Sequence, residues 1–265
     1  MRCAQAGRLV GVGLGLRRGR VNVLEIAAGS LASALVAQHA GADRVELCEG
    51  LASGGTTPSY GTLAITRERL RIPLFVLVRP RAGDFLYGAQ EAEVMLRDIE
   101  NCVRLGCDGI VVGALDTDGN VDLSLCRQLV SAAGSLPVTF HRAFDVARNP
   151  VEALEQVIGL GFARVLTSGG CATAMEGAGN VAARVRQAAG RIVVMPGAGI
   201  DAGNVAALAA ATGAHEFHAS AKAPQVSAMR FRAPAVEGLP SDWTETDPER
   251  VRALRAALDA GAQRG

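Results

Sequence analysis

From Val21 onward the chain repeats one hydrophobic rhythm: a short apolar run, a polar or glycine-rich break, then a stretch with helical spacing. The apolar runs are Val21–Ile26, Arg44–Cys48, Leu74–Val78, Gly109–Val112, Val138–His141, Arg164–Thr167, Ile192–Met195 and Glu216–His218. Their length and β-branched content predict strands. Between them, Ser30–Ala40, Ala89–Leu105, Asp122–Ala133, Pro150–Leu160 and Asp201–Thr212 carry apolar residues at helical spacing, and Asp247–Ala260 closes the chain. Gly41 and Gly106 stand where C-caps belong, Asn149-Pro150 opens a helix, and Asp201 is the expected N-cap of another. Eight strands alternating with helices predict an α/β fold, a TIM (β/α)8 barrel over residues 21–265 in a single domain.

A dinucleotide-binding sheet would need Gly-x-Gly-x-x-Gly after its first strand, and Ala27-Ala28-Gly29-Ser30 stands there instead. Glu49–Gly61, rich in Gly, Thr and Ser, reads as a long loop, and such loops in compact domains are commonly functional. Residues 1–20 hold Arg8, a short apolar run and Arg17-Arg18-Gly19-Arg20 without a small-residue cleavage site, so they are expected to form a disordered extension. No later stretch is apolar for long enough to span a membrane.

Composition narrows the class. Net charge is +1 with charges dispersed, which gives no sign of a nucleic-acid groove or a membrane patch. Lys222 is the one lysine, so nearly every other cation is arginine. Cys3, Cys48, Cys102, Cys107, Cys126 and Cys171 form no Cys-x-x-Cys pair and read as reduced thiols of a cytoplasmic protein.

The chemistry-bearing residues fall at the carboxyl ends of the expected strands, where barrels place their sites. Glu25 lies on the first strand, Glu46 and Cys48 on the second, and Arg79, Arg81 and Asp84 after the third. His141, Arg142 and Asp145 follow the fifth, Thr167 and Ser168 the sixth, and His218, Ser220 and Lys222 the eighth. Alternation puts Thr139 and His141 on one face, with Val138 and Phe140 packing outward against helices. His141 is therefore expected in the barrel mouth beside Glu25 or Glu46 as acid or base, with Arg79 and Arg81 holding an anion. The turn Gly197-Ala198-Gly199 before a helix N-terminus suits phosphate near Gly197, Gly199 and Ser220. Competing with this catalytic constellation is a buried structural ion network.

Several stretches resemble one known family. Leu24-Glu25-Ile26, Asp43–Cys48, Gly54–Ser59, Arg79–Phe85, Val138–Asp145, Arg164–Gly169, Met195–Ile200 and Glu216–His218 are similar to the CutC proteins. The resemblance implies a TIM barrel, a cytoplasmic location and a role in copper homeostasis through copper ion binding. Some members carry a Cys two positions after the first-strand Glu, facing the Cys of the second strand, a pairing that suits Cu(I). Here Ala27 stands at the first position, leaving Cys48 as the one metal-ligand candidate, and Ala219 replaces the Cys that some members have after the eighth-strand His. Two functional readings follow: a copper-binding protein, or a barrel enzyme acting on a small anionic or phosphorylated metabolite. The expected partners are a copper ion or a small anion, with a homodimer as a further option.

Overall fold

A computed structural model describes residues 22–232, 236 and 240–262. The expected extension over residues 1–20 lies outside them. The barrel strands are β1 (Val23–Ala28), β2 (Arg44–Leu47), β3 (Leu74–Leu77), β4 (Gly109–Val112), β5 (Val138–Phe140), β6 (Arg164–Thr167), β7 (Val193–Pro196) and β8 (Glu216–Ala219). They form an eight-stranded sheet in the order β7-β6-β5-β4-β3-β2-β1-β8, and a parallel bridge between Gly197 and His218 brings its ends together. The architecture is a TIM barrel, as expected. A final antiparallel hairpin, β9 (Lys222–Gln225) with β10 (Trp243–Thr246), was not signalled by the hydrophobic rhythm, because its side chains are mostly exposed.

The helices are α1 (Leu31–Ala40), α2 (Tyr60–Arg69), α3 (Ala89–Leu105), α4 (Leu123–Ala133), α5 (Pro150–Gly159), α6 (Ala178–Ala188), α7 (Val205–Thr212) and α8 (Pro248–Ala262). Ser30, Asp122 and Asn149 cap α1, α4 and α5 by accepting backbone N–H bonds. Asp201 is not the cap of α7. Its Oδ1 instead accepts from Gly203 and Asn204 N–H, closing a turn ahead of the helix. The expected loop over Glu49–Gly61 holds a 3-10 turn at Leu51–Ser53 and a bridge from Glu49 to Thr56, and α2 begins at Tyr60.

Strand alternation separates two interiors. Leu24, Ile26, Val76, Ile110, Phe140, Val165 and Phe217 face outward into the main core beneath the helices. Cys48, Phe75, Leu77 and Val111 form a second, smaller apolar group inside the barrel. Elsewhere the barrel interior carries the polar groups Glu25, Arg44, Glu46, Arg164 and His218, and that is where the candidate site lies.

Candidate functional site at the barrel mouth

The barrel floor is an ion network. Arg44 Nη2 donates to Glu216 Oε2 at 2.7 Å and Arg44 Nε to Glu25 Oε2. Arg164 Nε donates to the same Glu216 oxygen at 2.7 Å. Both guanidinium groups lie over the Phe75 ring, at 4.8 and 5.1 Å from its centroid. The interior ion network weighed from the sequence is therefore real, but its arginines are Arg44 and Arg164, not Arg79 and Arg81. Both begin their strands, where basic residues read as solvated ends.

Above the floor stands His218, whose Nδ1 lies 2.7 Å from Glu25 Oε1. Glu25, Glu46 and His218 each offer a ligand atom, all within 4.8 Å of one another. Burial alone would raise the Glu25 carboxyl, but Arg44 and His218 outweigh it and hold it down at about 2. Glu46 has no such support. Burial dominates there, Glu25 adds repulsion, and its carboxyl is pushed up to about 7 despite His218 and Arg44. Its Oε2 has no hydrogen-bond partner. Burial works against a charged His218, yet Glu46 and Glu25 keep its pKa above the ordinary value.

A cavity of about 510 Å³ opens above this row. Glu46, Cys48, Arg79, His141, Arg142, Asp145, Gly199, His218, Ser220 and Lys222 all line it. The structure thus brings together most of the residues expected at strand ends. Glu25 lies just beneath the lining, wholly buried. Four others lie apart from it. Arg81 turns away to Glu91 and Asp84, at 2.6 and 2.9 Å, so neither Arg81 nor Asp84 faces an anion in the mouth. Ser168 is tied to Asp145 and to the Cys171 carbonyl. Gly197 is closed in by Leu166 and His218, with room for no side chain.

His141 corrects the expectation most clearly. It lines the cavity, but its hydrogen bond is not to a carboxylate: Nδ1 accepts from Ala143 N–H at 3.1 Å. Its ring packs against Phe85 with centroids 4.9 Å apart, and Nε2 is buried without a partner. Burial, reinforced by Arg79, drives its pKa down to about 3, so the imidazole is neutral. The carboxylate-bound histidine of the site is His218, from β8.

Arg79 is 5% exposed. Its Nη1 donates to the Ser53 and Gly55 carbonyls and its Nη2 to that of Gly83, while Nε is unpartnered. Among the described residues no carboxylate lies within ion-pair distance of it. Asp145 has a fixing role: it accepts from Thr167, from Ser168 N–H and, at 2.7 Å, from Arg142 Nε, which locks the β6 loop under the fifth-strand turn. At the seventh loop Asp201 Oδ1 accepts from Gly203 and Asn204 N–H ahead of α7, and Asn204 Nδ2 donates to the Gly199 carbonyl at 2.7 Å.

A model of the CutC family matches residues 22–223. The chain belongs to the CutC family. It is 59% identical to the CutC family protein of Xylella fastidiosa strain Temecula1 over 251 residues, 94% of this chain and 92% of that one. It is 47% identical to the human copper homeostasis protein cutC homolog over 240 residues, 88% of each chain. The solved CutC structure from Streptococcus agalactiae superposes with a TM-score of 0.73 at 34% identity, covering 75% of this chain and 98% of that one. The human and streptococcal relatives are named for copper homeostasis, and the donors of this mouth can be weighed against copper.

Cu(I) favours paired thiolates. Cys48 is the one thiol of the cavity lining, with Ala27 across from it. Burial, then repulsion from Glu46 and Glu49, pushes the Cys48 thiol far above its ordinary value. It packs with Leu77 and Phe75 and lies 3.8 Å from the Ala28 carbonyl. That is the setting of a packed, protonated thiol. The Glu25–Glu46–His218 set is harder, two carboxylates and an imidazole, and Glu25 is already engaged by Arg44 and His218. The residues present do not fit a Cu(I) site.

Proposed function

We propose that this CutC-family chain binds a small anionic molecule in the barrel mouth and moves a proton to or from it. Its part in copper homeostasis then runs through that molecule, rather than through a copper ion held by the protein. Arg79 carries this reading: a buried cation with no carboxylate partner among the described residues calls for an anion. Glu46 supplies the proton chemistry. A carboxyl tuned near neutrality can both take and give a proton at working pH, and the Glu25–His218 pair beside it can pass that proton on. The reading assigns four roles. Arg79 attracts the anion, Glu46 exchanges the proton, His218 is oriented by Glu25, and the ion floor keeps Glu25 ionised.

Competition for Cu(I) against a chelator tests the copper half. Weak binding, unchanged in Cys48→Ala, is expected. Tight one-to-one binding that disappears in Cys48→Ala would return the site to copper.

A further inference from the structure

Resting on the anion-site reading, one group remains unused: the His141 imidazole. Its Nδ1 lone pair is spent on Ala143 N–H, so a neutral ring must carry its proton on Nε2. That N–H is buried and has no partner among the described residues. A buried donor left unmade costs about 1–3 kcal/mol, so such groups call for an explanation. The ring is also held rigidly. A Cβ at Gly113 would come within 2.5 Å of Nδ1, so only glycine fits behind it, and Phe85 covers the other side. The nearby Arg79 adds positive potential, with its own Nε unspent.

We propose that His141 is the oxyanion donor of this site, and that the substrate is a small 2-oxo acid enolised at the carbon next to its carbonyl. The ligand carboxylate answers Arg79, and its carbonyl oxygen takes the Nε2–H of His141. Phe85, on the irregular segment between β3 and α3, turns aside to admit it. Ionised Glu46 takes a proton from the adjacent carbon. The C–H pair becomes the C=C bond, and the carbonyl π pair moves to the oxygen, where His141 and Arg79 stabilise the charge. Return of the proton from Glu46 restores the ketone, and no oxidant or cofactor is consumed. A fixed donor aimed at charge that develops in the transition state is a strong source of catalysis. A neutral imidazole suits that role better than a cation that would surrender its proton.

The probes are pyruvate, whose methyl protons exchange on enolisation, and oxalate, a planar dianion resembling the enolate. Calorimetry follows oxalate binding, and proton NMR in D2O follows loss of the pyruvate methyl signal. Wild type should bind oxalate and exchange the methyl protons faster than buffer. His141→Leu should slow exchange by about 10²–10³-fold, the loss typical of removing one oxyanion donor. His141→Gln, which keeps an N–H, should recover part of the rate, and thermal melts verify that each variant folds. Oxalate binding without pyruvate exchange in wild type, or exchange unaffected in His141→Leu, overturns the role of His141 and leaves the anion site standing. Failure of wild type to bind either probe overturns both.

Discussion

Single residues set the working range of this mouth. The pKa of His141 is lowered in the fold, so its contribution to stability is present above the unfolded value near 6.5 and is lost as pH falls toward about 3. By pH near 5 about 2 kcal/mol of it is lost in the limit of independent titration. His141→Gln should therefore flatten the acid side of the stability profile measured by urea unfolding. An unchanged acid slope would show that the ring is not buried neutral. Glu46 has the opposite sign. Its raised carboxyl adds stability below the ordinary carboxylate range and loses it as pH climbs through about 7. Gly113 tests the packing behind His141: Gly113→Ala should cost about 1–3 kcal/mol by overpacking, which calorimetric melting would report.

At the scale of elements, the sequence made the scaffold legible and the partners of its polar groups only partly so. The eight barrel strands coincide with the apolar runs to within two residues, because the outward face of each strand is buried beneath the helices and is apolar. Helix ends were readable at Gly41, Gly106 and Asn149, whereas α2, capped by Ser59, was not read from the sequence. Asp201 misled, because an Asx turn and an N-cap use the same residue type. His141 was correctly placed on the inward face of its strand, but its hydrogen bond goes two residues along its own chain, while His218 took the carboxylate. Alternation gives a face; which inward groups meet across a barrel depends on the stagger of strands far apart in sequence. The paired arginines of the third-strand loop divided for the same reason, Arg79 turning into the cavity and Arg81 out to Glu91 on α3. Asn149→Ala should cost about 1 kcal/mol, lowering the melting temperature by about 2–4 °C in a chain of this size. An unshifted melt would show that the cap bonds to Val151 and Glu152 add nothing.

Across the whole molecule, the barrel stacks three environments along its axis: a charge-balanced floor, a row of proton-exchanging groups, and a cavity with an unmatched cation. The floor matters to the row above it, because Arg44 keeps Glu25 ionised and Glu25 orients His218. Glu25→Gln leaves Arg44 short of one buried partner and should destabilise the fold by about 3–5 kcal/mol. In wild type the Glu25 contribution is present above about 4.5 and is lost as pH falls toward about 2. A Glu25→Gln variant as stable as wild type at neutral pH would mean the floor is dispensable.

The central claim is that the mouth receives an anion between Arg79 and Glu46, and its most direct test is sulfate binding followed by calorimetry as a function of pH. Sulfate keeps its charge between about pH 5.5 and about pH 8.5, so any change comes from the protein. Ionising Glu46 should repel the anion, weakening affinity roughly tenfold, or about 1.4 kcal/mol, as pH rises through the neutral range. Glu46→Gln should remove most of that dependence and keep the tighter binding. Sulfate affinity that is the same at both ends of the range in wild type, or equally pH-dependent in Glu46→Gln, would contradict the anion site described for this barrel.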